Sequence, residues 1–241
     1  MLGLGTIINS VSILLGGVMG LLFGRFLKES YQESLNMACG VSVLFIGIAG
    51  AMEGMLHIDG GAIKSGQAFL VVVCLGLGAL AGELLDIEAY IERFGEWLKQ
   101  KTGSAKDKKF VDGFVTASLT VCIGAMAIVG AIQDGISGDW SILAIKSVLD
   151  LVIVMVMTCS LGKGCIFSAI PVFLFEGSIT LLATLVKPFM TVAALDSLSL
   201  VGSILIFCVG LNLIWGKKIR VANLLPSIVF AVLSAFLPSS F

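Results

Sequence analysis

Histidine is nearly missing from this chain: His57 is the single one in 241 residues. No HExxH, GxSxG or Walker motif occurs. Metal-assisted or nucleophilic catalysis needs several histidines, carboxylates or hydroxyls converging on one point. The sequence therefore reads as no enzyme, with no catalytic residue, no metal site and no cofactor. An ATP-driven pump would need its nucleotide domain on another chain. The six cysteines (Cys39, Cys74, Cys122, Cys159, Cys165, Cys208) lie in or beside apolar runs, and none forms a CxxC pair. That removes a zinc ribbon or a disulfide framework and leaves small buried hydrophobes. Charge is scarce as well, at 13% of residues, against about 25% in ordinary soluble domains. The net charge of −1 speaks against a nucleic-acid partner.

What fills the chain is apolar. Hydrophobic residues make up 58%, the mean hydropathy is +1.08, and glycine is abundant at 29 residues. Glycine enrichment fits membrane helices that pack closely. At roughly 20 residues per span, the expectation is an all-α polytopic integral membrane protein of about eight transmembrane helices. It is a single transmembrane domain over 1–241 with no room for a soluble one. The spans fall at about 5–24, 37–55, 67–85, 114–132, 142–159, 165–185, 198–215 and 221–237. The first run has no basic segment before it, since the first positive charge is Arg25, so it reads as a retained helix rather than a signal peptide. The one long polar stretch carries Ile87, Tyr90, Ile91, Phe94 and Leu98 at helical spacing among charges. It predicts an amphipathic helix at about 87–101, on the membrane surface or against the bundle.

The stretch from Asp112 to Asp150 holds the most unusual residues. Lys146 and Asp150 are four apart, hence on one helix face, inside an apolar run where ionisable groups are expensive. They read as an intramembrane ion pair or part of a substrate path, or Lys146 snorkels to the interface. The sixth span carries Pro171 and then Glu176, Gly177 and Ser178, which predicts a broken helix near residues 171–178. Such a break frees backbone groups that can coordinate an ion or solute near the midplane. The alternative is a polar kink bonded to a neighbour. Thr116 and Ser118 are candidate ligands, though hydroxyls on apolar helices usually bond back to the backbone. Asn9, Asn212 and Asn223 are candidate site residues, or interhelical glue. Asn223 also stands where it could cap the last span ahead of Pro226, and Gln133 and Asp134 where they could cap the fourth.

Twelve of the fifteen basic residues fall in alternate loops: Arg25 and Lys28; Arg93 to Lys109; Lys163; Lys217 to Arg220. The positive-inside rule places those loops in the cytoplasm and both termini outside. Internal similarity is also present. Cys122-Ile-Gly124 followed by Gly130 matches Cys208-Val-Gly210 followed by Gly216, and the first and last spans align after Asn9 and Asn223. In this topology each pair runs in opposite directions, the mark of an inverted-topology repeat, or simply of two glycine-rich helices.

Several stretches carry a resemblance: LGTIINSVSILLGGVMGLLFG, FVTASLTVCIGAMAIVGAIQDGISGD, IKSVLD, GSITLLATL and KKIRVANLLP. Together they resemble the family of bacterial membrane proteins labelled DUF554, over nearly the whole chain. The resemblance implies a bacterial inner-membrane protein and no mechanism. It also implies a glutamine at the position of Glu176, so that a charge there is a departure and optional, which weakens Glu176 as an ion-coupling residue. The expected function is transport of a small solute across the inner membrane, ion-coupled, by movement of one half against the other. An ion channel or a non-transporting scaffold or sensor stand as alternatives. Implied partners are an unidentified solute or ion, the lipid bilayer, and a second copy paired through glycine-rich helices.

Overall fold

The computed structural model describes residues 3–123 and 125–236. Two long helix pairs frame it. Helix α1 (Leu4–Gly24) runs along α7 (Ser141–Leu161), and α2 (Glu29–Met55) runs along α10 (Val192–Trp215). Glycines make both approaches possible. A Cβ on Gly16 or Gly20 would run into the Leu151 or Met155 carbonyl of α7, and one on Gly47 into the Phe207 backbone of α10. The helix α3 (Ala68–Leu85) closes in the same way. Gly78 and Gly82 meet the backbone of Ser227 and Asn223, which belong to α11 (Pro226–Ser234) and the 3₁₀ turn before it. The glycines of these stripes are thus used within the chain. The other faces are apolar: Leu80, Leu84, Val148, Leu149 and Leu181 are all exposed, as lipid contact requires.

The middle of the bundle is α5 (Phe110–Cys122) followed by α6 (Ala125–Ser137), bent by 63° where the two meet. The chain's break is here and not near residues 171–178. There, a 3₁₀ turn at Lys163–Ser168 leads into α8 (Ala169–Leu181), which runs unbroken through Glu176, Gly177 and Ser178. Pro171 is the third residue of α8, within the first turn, where its missing N–H has no intrahelical acceptor to lose. Beyond α8, a short α9 (Ala183–Val186) leads toward α10. Similar sequence does not give similar shape either. Cys208-Val-Gly210 lies inside continuous α10, whereas its counterpart Cys122-Ile-Gly124 falls at the bend, with Gly124 outside the described residues.

Six helices among the described residues are long and apolar enough to cross a membrane, and the bent α5–α6 pair makes a seventh. The expected eighth is the shorter apolar stretch Val221–Ser234. Its 14 residues span only about 21 Å, against a hydrocarbon core of about 30 Å; residue 237, its expected end, is outside the described residues. The expected loop after Met55 is a hairpin of β1 (Leu56–Asp59) and β2 (Ala62–Ser65), turned by Gly60 and Gly61 at φ 60° and 79°. Two consecutive positive-φ glycines make the turn that matches strand twist. The polar stretch forms α4 (Ile87–Lys101), which lays Leu98, Gly95 and Phe94 against α5, with Phe94 and Phe114 rings 5.8 Å apart.

Candidate functional site

Four buried polar side chains meet where α1, α7 and α8 pack together. Asn9, Lys146, Asp150 and Glu176 are 0%, 6%, 4% and 1% exposed. Lys146 and Asp150 project from one face of α7 because they are one turn apart. Lys146 Nζ donates to Asp150 Oδ2 and, at 2.8 Å, to the Val121 carbonyl, and it lies 3.5 Å from Glu176 Oε1. Asn9 Nδ2 donates to the same Glu176 oxygen at 2.9 Å. The Val121 carbonyl is available because α5 ends one residue later; the last carbonyls of a helix lack an intrahelical partner and favour a cation. The bend between α5 and α6 therefore supplies one ligand to the ammonium.

The sequence candidates divide cleanly. Asn9, Lys146, Asp150 and Glu176 come together; the others do not. Ser178 is exposed and donates to the Phe175 carbonyl at 2.8 Å, and Ser118 donates to the Phe114 carbonyl at 2.6 Å. Asn212 fastens the turn after α10, accepting from the Lys218 and Ile219 amides and donating to the Ile219 carbonyl. Asn223 accepts from the Glu88 amide at 2.8 Å, so it caps α4 and not its own helix. Thr116 lines a separate cavity described below. Asn9, Lys146 and Glu176 each stand five residues from the near end of their helix, roughly 8 Å in.

Three further buried polar residues, Thr6, Thr180 and Asp134, lie between the four residues and that near end. One step outward from Asn9 and Glu176, the Thr6 and Thr180 hydroxyls are 3.3 Å apart. Beyond them Asp134 of α6 accepts from the Gly5 amide at 2.9 Å and the Gly3 amide at 3.2 Å, capping α1 rather than the fourth span. Thr6, Asp134 and Thr180 are all buried. Helical spacing held the signal: Thr6 is three residues before Asn9, and Thr180 four after Glu176.

From the opposite end, a cavity of about 350 Å³ enters between α5 and α10. Asn36, Asp112, Thr116, Asn212 and Lys217 give it polar walls, and it reaches Leu119. Two residues further along α5 is Val121, whose carbonyl holds Lys146. An apolar cavity of about 580 Å³ opens on another side of α5, lined by Phe114, Ile128, Phe175, Leu198 and Ile228 among others.

A second ionic network stands at the cavity end. Arg220 bridges Glu83 at 2.7 Å and Asp86 at 3.0 Å, and Lys217 bridges Glu88 at 2.6 Å and Glu92. It clamps the α3–α4 corner, where Asp86 turns the chain at φ 47°. Partial burial pulls the Lys217 ammonium down, but hydrogen bonds to Glu88 and Glu92 more than offset this and hold it above the ordinary lysine range.

Apolar spanning helices around a buried lysine–carboxylate cluster define a class: a polytopic helical membrane protein with an ionisable interior. Within that class the chain belongs to the family described as "Protein of unknown function (DUF554)", whose profile matches residues 4–236. It is similar to the "Uncharacterized membrane protein YdfK" of Bacillus subtilis (strain 168), 29% identical over 237 residues, covering 98% of this chain and 97% of that protein. It is likewise similar to the "Uncharacterized protein YqgA" of Escherichia coli (strain K12), 29% identical over 233 residues, covering 95% and 94%. No solved structure matches the chain.

Proposed function

We propose that this protein is a secondary transporter of a small solute across the bacterial inner membrane, coupled to an ion bound at Asn9, Lys146, Asp150 and Glu176. The observation that carries this reading is the placement of those four residues. A buried polar string approaches them from one end, and a solute-sized cavity approaches from the other. Ionisable groups inside a membrane protein are costly and mark ion and substrate paths. A channel needs a continuous polar pore. Here the cavity lining reaches Leu119 on α5 and includes none of the four buried residues, which favours alternating access. The two long helix pairs, α1–α7 and α2–α10, are the natural units to move against each other.

The basic residues put α4 and the turn after α10 in the cytoplasm, so the cavity opens inward and the string outward. Alkaline phosphatase fused after the last residue is expected to be active in the periplasm. Purified protein in liposomes is expected to take up at least one solute from a broad panel under an ion gradient, and Asp150→Asn to abolish it. Failure to move any solute, with a partner protein co-purifying instead, would favour the scaffold reading and end this one.

A further inference from the structure

We propose that the buried site carries one exchangeable proton on Glu176, which makes H⁺ the coupling ion, with the Thr6–Thr180–Asp134 string as its route to the outer end. The coupling role rests on the transport reading; the proton itself does not.

Lys146, Asp150 and Glu176, all ionised, sum to −1, and among the described residues the other titratable group beside them is the thiol of Cys122 on α5. The remaining facing group, Asn9 on α1, is neutral. A net charge sealed in an apolar bundle is expensive, so the site is neutral only when it holds one further positive charge.

Geometry says where that charge goes. Asp150 is satisfied by Lys146 on its own helix face. Glu176 receives Asn9 and, more distantly, Lys146 on a single oxygen, Oε1. Its other oxygen, Oε2, is buried with no hydrogen-bond partner among the described residues, and so is Asn9 Oδ1. Both orphans are acceptors, and they belong to two groups already bonded to each other. A proton on Glu176 adds the donor that this pair lacks.

A metal cation fits less well. It would need several oxygen ligands, and the described residues contain no group of three or more His, Cys, Asp or Glu able to hold one. The Thr6 and Thr180 hydroxyls, 3.3 Å apart, both donate and accept, the chemistry that a proton route needs and that a desolvated metal ion would not find there. Release of the proton leaves Lys146 between two carboxylates, one on α7 and one on α8. That gives protonation a direct hold on how these helices sit.

Infrared difference spectroscopy on the full chain in lipid vesicles tests this. Near neutral pH the wild type is expected to show the carbonyl stretch of a protonated carboxylic acid, lost in Glu176→Gln and kept in Asp134→Asn. Asp150→Asn is expected to lose it as well, because Glu176 then ionises against Lys146. Thr180→Val is expected to keep the band and slow its shift in deuterated water. Absence of the band in the wild type, its survival in Glu176→Gln, or its removal at constant pH by Na⁺ or K⁺ would each overturn the proposal. If the band is present and liposomes move no solute, the proton site stands and the transport reading falls. If solute moves without the band, H⁺ is not the coupling ion.

Discussion

Two ionic networks occur in this molecule, and they are built in opposite ways. At the α3–α4 corner, Glu83, Asp86, Glu88 and Glu92 meet Lys217 and Arg220, and the two basic side chains are 46% and 49% exposed. Each carboxylate there has a nearby cation, and all but the buried Glu88 have access to water. In the membrane, Lys146 and two carboxylates are sealed together, with two acceptors left unpaired. Water and salt screen the first network, so each of its pairs contributes little. Nothing screens the second, so its members depend on one another. Charge that only fastens a corner can sit in solvent; charge placed where it costs stability has to be explained by what it binds.

The largest expected effect comes from breaking the buried network on one side only. Lys146→Met leaves Asp150 ionised without a partner and is expected to cost about 3–5 kcal/mol. This would be read as loss of a cooperative thermal transition in mild detergent. Lys146→Met combined with Asp150→Leu is expected to regain most of that loss, since both charges are then gone. If the double variant is no better than the single one, packing rather than charge governs the site.

Next in size is the close approach that holds the inner network's backbone. A side chain on Gly82 would meet the Asn223 carbonyl, and Gly82→Val is expected to destabilise by about 1–3 kcal/mol. Removing the cap on α1 with Asp134→Ala is expected to cost about 1–2 kcal/mol, visible as a lowered melting temperature with other helices intact. The smallest effect falls on the exposed network. Arg220→Ala is expected to stay within about 1 kcal/mol, and added salt should erase the difference. The pH dependence follows in sign from Lys217. Its folded-state pKa is raised, so its contribution is complete below the ordinary lysine value and is lost only as pH rises through the raised one. The melting temperatures of wild type and Lys217→Ala should therefore differ by a constant amount near neutral pH and converge only at strongly alkaline pH.

The sequence carried the membrane class, the family and four members of the buried site, for particular reasons. Lys146 and Asp150 are conspicuous because charge is rare in an apolar run, and their spacing alone puts them on one face. Asn9 and Glu176 stood out as polar groups within spans, but only packing could bring α1 and α8 to α7. The bend was misplaced for a physical reason. Proline and glycine mark breaks when they fall in a helix interior, but Pro171 sits in a first turn, where it is harmless. The actual bend, between Cys122 and Ala125, has no proline, and a helix end there leaves the Val121 carbonyl for Lys146. The asparagines misled because an amide reads the same whether it lines a site or caps a distant helix, as Asn223 does for α4.

The most direct test of the account compares the two networks by ligand-induced thermal stabilisation. Wild type, Asp150→Asn and Arg220→Ala would be screened in detergent against a library of metabolites and ions. Specific binding raises apparent stability by mass action. The account predicts at least one compound whose shift disappears in Asp150→Asn and persists in Arg220→Ala. A shift that survives Asp150→Asn but disappears in Arg220→Ala would place the ligand at the surface network and contradict it.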